Sequence, residues 1–319
     1  MTYVIIQALA PIFLIMALGY FAGKTGMVDN QNVALLNIFV MDFALPATLF
    51  SATVQTPWAG ILQQSPLAVV LVLAMWLTWA LVWLVAIRVY HQPPQVAAVL
   101  TLTVALPNYA ALGLPILASV LGDAPGTSLS VAVSIACGSV LMTPLCLLIL
   151  EREKARAAGE SLGSQLAMLP RLMYRSVKKS IVWAPLLGVV LSALGVQMPA
   201  LGLAALKPLG LAATGGALFL TGVILSARRL RISVPVLGAS AVKLLIQPLI
   251  AWGLVWLLGL QGALAIASIL MSALAAGFFG VVFGNRFGVQ SPDAEATLLL
   301  SSVLSIVTLP LFIGFTAGL

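Results

Sequence analysis

Apolar segments close to twenty residues long recur through this chain between short polar breaks, and few architectures accommodate them. A bilayer core about 30 Å thick is crossed by about 20 residues of helix. Ten such segments can be placed, at residues 3–22, 32–54, 66–90, 96–121, 127–150, 181–198, 203–226, 234–258, 262–284 and 295–317. They are continuously apolar rather than alternating, which points to helices and not to the strands of a barrel. The first segment has no basic leader and no small-residue cleavage site, so it reads as a retained span and not as a signal peptide. Only 7% of the residues are charged, against about a quarter in a soluble domain, which excludes an ordinary soluble globule. The expectation is an all-α polytopic membrane protein.

The fifteen basic residues decide its orientation. Thirteen fall after odd-numbered segments: Lys24, Arg88, Arg152, Lys154, Arg156, Arg171, Arg175, Lys178, Lys179, Arg228, Arg229, Arg231 and Arg286. The even-numbered loops, such as residues 55–65 and 122–126, carry none. Cytoplasmic loops are the basic ones, so both termini are expected in the periplasm and the 151–179 linker in the cytoplasm. The net charge of +7 is accounted for in this way, and nucleic-acid binding is not implied. Five segments precede the linker and five follow it, and an odd number of crossings reverses the side of entry. Residues 1–150 and 180–319 are therefore expected as two inverted five-helix repeats. Weak internal similarity agrees, Ala10-Pro11 opening the first segment as Ala184-Pro185 opens the sixth. Such repeats characterise secondary transporters, whose sites form where interrupted helices meet.

The strongest interruption lies in the fourth segment, where Pro107 and Pro115 bracket Asn108, Tyr109 and Gly113 deep in an apolar run. Proline removes a backbone donor and clashes with the preceding turn, so a broken helix is expected. The corresponding stretch of the ninth segment, residues 272–280, has no proline; its Gly277 and Gly280 permit unwinding without forcing it, and a tight glycine packing face fits them equally. In an unwound segment the Asn108 amide can donate to a carboxylate oxygen. Tyr109 adds a hydroxyl and a ring. Pro107, Pro115, Gly277 and Gly280 act through backbone geometry, Gly277 bringing main chain to the substrate. Freed half-helix N-termini attract anions.

Three charges lie well inside the segments. Asp42 and Lys243 are near mid-membrane, where a charge must be paired, neutral or turned inward. They can pair with each other; alternatively Lys243 meets a substrate carboxylate while Asp42 takes up a coupling H⁺ or Na⁺. Lys207, near the end of its segment, can snorkel to the interface. The only histidine, His91, sits in a turn and reads as solvated. Cys137 and Cys146 give neither a disulfide frame nor a metal site, no catalytic constellation is present, and no cofactor is expected.

Over essentially its whole length the chain resembles the auxin efflux carrier family. The residues that carry the resemblance are Leu106-Pro107-Asn108 followed by Gly113-Leu114-Pro115, which match the family's fourth-helix pattern. The opening stretch with Ala10-Pro11, Gly19-Tyr20 and residues 37–46, and the run at 272–284, resemble the bacterial malonate carriers in particular. The resemblance implies two inverted five-helix repeats with the fourth and ninth helices broken and crossing beside the substrate, a small scaffold domain, and often a homodimer. It also implies a bacterial inner-membrane carrier of a small organic anion, malonate first, with an efflux carrier for an auxin-like or other monocarboxylate as the alternative. Where plant members carry Pro-Gln in the ninth helix this chain carries Ala275-Ala276, so their aromatic site is not carried over.

Overall fold

In a computed structural model of the protein, helix stands at each of the ten expected places. The structure describes residues 2–122, 125–157, 174, 177–196, 198–227 and 232–319. We name the helices α1 (Thr2–Lys24), α2 (Ala34–Gln55), α3 (Ser65–Arg88), α4a (Pro94–Ala105), α4b (Tyr109–Leu121) and α5 (Gly126–Lys154). They are followed by α6 (Ser180–Ala193), α7 (Ala200–Ser226), α8 (Val234–Leu257), α9a (Gly262–Ala273), α9b (Phe279–Arg286) and α10 (Pro292–Thr316). Among the described residues six helices are long and apolar enough to cross a membrane: α2, α3 with the helical turn before it, α5, α7, α8 and α10. Most of the 151–179 linker, together with Arg228, Arg229 and Arg231, lies outside the described residues.

These helices are apolar on nearly every face, and the packing separates what meets protein from what meets lipid. Leu14, Leu18 and Phe21 of α1, Leu77 and Leu84 of α3 and Trp256 of α8 are exposed, as a lipid-facing surface requires. At the other extreme, every residue from 97 to 117 and from 267 to 278 is buried. The fourth and ninth helices are thus the inner pair. Helices α3, α5, α8 and α10 pack around them, while α1 lies along α7 and α2 along α6.

Proline shapes this core as well as breaking it. Among the described residues four helices contain a π-helical segment, at Phe39–Ala44 in α2, Tyr109–Gly113 in α4b, Gly138–Met142 in α5 and Val242–Ile246 in α8. In each case a proline follows two residues later: Pro46, Pro115, Pro144 and Pro248. A proline cannot donate to the carbonyl four residues back and its ring crowds that carbonyl. Widening the preceding turn relieves both problems, and it re-aims the side chains of the turn. Asp42, Tyr109 and Lys243 all sit in such turns. Pro46 thus follows a widened turn in α2.

Candidate functional site

The fourth helix stops at Ala105 and restarts at Tyr109, and the ninth stops at Ala273 and restarts at Phe279. The two breaks cross. Pro107 and Ala276 meet as an antiparallel bridge, the isolated extended pairing of an otherwise helical core. Asn108 N–H donates to the Ala275 carbonyl at 3.0 Å and Gly277 N–H to the Thr103 carbonyl at 3.1 Å. Ala276 N–H donates to Ser301 Oγ of α10 at 3.1 Å. Buried backbone groups must be paired, above all away from water, and these bonds account for donors that unwinding would otherwise strand.

The crossing needs small residues. A Cβ on Gly277 would collide with the Leu106 carbonyl, and one on Gly280 would collide with the Val99 carbonyl and the Thr103 backbone. The expected ninth-helix break is thus present, and its glycines serve close approach of two backbones. Pro107 and Gly277 lie in the crossing itself and Gly280 packs α9b onto α4a, whereas Pro115 lies further along α4b, where it ends a π turn.

Asn108 caps the restarted helix. Its Oδ1 accepts from Ala111 N–H at 3.4 Å, its carbonyl accepts from Leu112 N–H at 3.0 Å, and its side chain is 3% exposed. Its Nδ2 is buried without a partner, and so is the hydroxyl of neighbouring Tyr109. Two hydrogen-bond donors are therefore buried with nothing to donate to, Asn108 Nδ2 at the break and the Tyr109 hydroxyl on a ring packed against Gly138 of α5, an arrangement that costs about 1–3 kcal/mol per group unless a ligand or water meets it.

Lys243 and Asp42 do not form the ion pair that their depth in the sequence allows. Lys243 is fully buried, and its Nζ donates to Gln247 Oε1 and, at 2.9 Å, to the Ser272 carbonyl. Gln247 in turn donates from Nε2 to the Ala105 carbonyl at 2.8 Å. Asp42 is exposed and lines a cavity of about 320 Å³ with Asn37, Lys179, Phe278, Phe279 and Phe283. Phe278, 4% exposed, ends the ninth-helix break, so the cavity borders α9b at the start of that half-helix. Lys179 Nζ lies 4.7 Å from the ring centre of Phe283 and 5.4 Å from that of Phe279, a cation–π contact at the cavity wall. Lys207 and His91 are exposed, as expected.

Three contributors were not picked out by reading the sequence: Gln247, Ser301 and Thr103. Gln247 had a visible signal, an amide four residues from Lys243 on the same helical face in an apolar run. Ser301 and Thr103 are small hydroxyl residues with no distinguishing mark. Among the described residues no group of three or more His, Cys, Asp or Glu side chains could hold a metal ion.

Comparison with known proteins gives a consistent result. Residues 4–313 match the family described as membrane transport protein. An uncharacterized transporter of Escherichia coli K12, YfdV, is 27% identical over 305 residues, covering 96% of this chain and 95% of the relative. An uncharacterized transporter of Methanothermobacter thermautotrophicus is 26% identical over 308 residues, covering 96% of both chains.

Proposed function

The chain belongs to the membrane transport protein family, that of the auxin efflux carriers, and from this premise we propose that it is a secondary active carrier moving a small organic anion by alternating access, with the dicarboxylate malonate as its first candidate substrate. It is a transporter and not an enzyme. In this reading ten helices span a bacterial inner membrane as two inverted repeats, residues 1–150 and 180–319. Both termini face the periplasm, the 151–179 linker faces the cytoplasm, and α1, α2, α6 and α7 make up the scaffold. Two copies form a homodimer.

One observation carries the substrate class: the Asn108 amide lies buried and unpartnered at the crossing, with the unpartnered hydroxyl of the next residue, Tyr109, buried against α5. A carboxylate has only acceptors, so it fits a pair of stranded donors better than a cation or an amine does. The N-termini of α4b and α9b open at the same place and favour negative charge. Gly277 keeps the main chain close enough to take part, and the buried Lys243 adds positive charge nearby. Asp42 lines the cavity that borders α9b at Phe278, which supports its reading as the carboxylate that takes up a coupling H⁺ or Na⁺.

Uptake into proteoliposomes with imposed pH and Na⁺ gradients tests the proposal, with malonate, succinate, acetate and indole-3-acetate as competitors. Malonate should accumulate and succinate should compete more strongly than acetate. If malonate neither accumulates nor competes, the dicarboxylate reading fails, and competition by indole-3-acetate or acetate alone would establish the monocarboxylate alternative.

A further inference from the structure

Two half-helices arrive at the crossing by their carboxyl ends, α4a at Ala105 and α9a at Ala273. The last carbonyls of a helix have no donor left along the chain and carry partial negative charge. In carriers built on interrupted helices, such ends are where a coupling Na⁺ is bound. Here a side chain occupies that place. The Lys243 ammonium donates directly to the Ser272 carbonyl of α9a at 2.9 Å. It also donates to Gln247 Oε1, and Gln247 passes the link on from Nε2 to the Ala105 carbonyl of α4a at 2.8 Å. One cation thus reaches both broken ends, the first directly and the second through an amide.

The burial of these groups makes the arrangement more than incidental. Lys243, Gln247 and Ala105 are wholly inaccessible and Ser272 nearly so. A cation withdrawn from water must find compensating charge or dipoles, and the two helix ends supply them. The π turn at Val242–Ile246, set by Pro248, is the segment that carries Lys243 in α8. Asp42, the other intramembrane charge, lies apart in the solvent-reached cavity.

We infer that Lys243 is a built-in cation that substitutes for a coupling ion at the crossing and, with Gln247, ties the two half-helices into one unit. It is a positioning residue, held on the carboxyl-end side of the breaks, while the anion is met by Asn108 and Tyr109. The crossing is then complete without bound Na⁺, and any ion coupling runs through Asp42. The ion part of this inference stands on the geometry alone; only its statement about the anion rests on the carrier reading above.

The test is a melting experiment on the purified full-length protein in detergent. Protein carrying Asp42→Asn, which lacks the separate coupling carboxylate, should melt at the same temperature in NaCl and in choline chloride at equal ionic strength. Lys243→Met should lower the melting temperature by several degrees and Lys243→Arg should restore most of the loss, since a guanidinium keeps the charge. Both variants, where folded, should keep the wild-type shift on adding malonate. Selective stabilisation of the Asp42→Asn protein by Na⁺ would overturn the inference, because the place at the crossing would then be open to an ion. So would a Lys243→Met protein that melts like wild type but no longer responds to malonate, because the lysine would then be a substrate contact. The ion comparison keeps Lys243 intact, so it decides even if Lys243→Met does not fold. If malonate shifts no form of the protein, the substrate proposal fails while the ion comparison still stands.

Discussion

Replacing Gln247 by Leu removes a side chain of similar size that holds two groups at once. The Ala105 carbonyl at the end of α4a loses the 2.8 Å bond from Nε2. No turn of helix follows to replace it, because Pro107 has no N–H, Asn108 N–H is engaged with Ala275 and Tyr109 N–H with Pro107. A buried acceptor left in this way costs about 1–3 kcal/mol. The Lys243 ammonium loses Oε1 and keeps the Ser272 carbonyl, and a hydrogen bond to a charged group is worth about 1.5–3 kcal/mol. The two losses together come to about 3–5 kcal/mol, since the sites share a network and the upper values do not add in full. Gln247→Glu keeps an acceptor beside the ammonium and loses only the donor to Ala105, so it should cost no more than about 1–3 kcal/mol. Equilibrium unfolding of the purified variants, followed by tryptophan fluorescence, measures the difference. If Gln247→Leu costs less than about 1 kcal/mol, or if the Glu variant is the worse of the two, the amide is not what bridges the lysine to α4a.

Further outcomes follow from the unpartnered donors and the cavity. Asn108→Ala should abolish malonate uptake while costing only about 1 kcal/mol of stability, the usual value for a lost helix cap; normal uptake kinetics would remove Asn108 from the site. Tyr109→Phe should leave stability unchanged or raised by about 1 kcal/mol, because it deletes a stranded hydroxyl, while weakening malonate about tenfold in a transport KM measurement. Asp42→Asn, at an exposed position, should fold as wild type does and transport down a malonate gradient, but lose acceleration by imposed pH or Na⁺ gradients in proteoliposomes. Gly277→Ala should be destabilised by about 1–3 kcal/mol in the same unfolding assay, because its Cβ meets the Leu106 carbonyl, and should show no uptake.

How far the sequence reveals this arrangement depends on whether the cause of each feature is local. The helices are legible because lipid demands long apolar runs, and residues 94–121 announce their own break because Pro107 destroys the helix wherever it sits. The π turns are only half legible, since each lies just ahead of a proline, yet Pro11, Pro185, Pro208 and Pro310 stand inside helices with no π turn before them. Lys243 stands out by its charge, but its partner does not, because a lone buried cation invites a search for an acid and Asp42 is the only one at similar depth. The compensation comes instead from a neutral amide and two carbonyls, and the carbonyls belong to the backbone, which leaves no mark in the sequence.

The ninth-helix break shows the same principle more sharply. Residues 274–278 contain no proline, and a run of Leu, Ala, Ala, Gly and Phe in isolation would continue a helix in lipid at little cost. It unwinds because unwinding satisfies partners elsewhere. Pro107 leaves α4 with an open carbonyl at Thr103 and an open N–H at Asn108, and Gly277 N–H and the Ala275 carbonyl answer these. Ala276 N–H, freed by the same opening, finds Ser301 Oγ. Had α9 stayed helical, its amides would have been spent internally and the α4 groups would have remained unpaired beside it, at several kcal/mol each in a water-free interior. One break is thus imposed by its own proline and the other is drawn open by the first, with glycine needed only where the backbones touch. The Asn108 amide N–H is what this exchange leaves over, a stranded donor at the break of the kind that a carboxylate would meet.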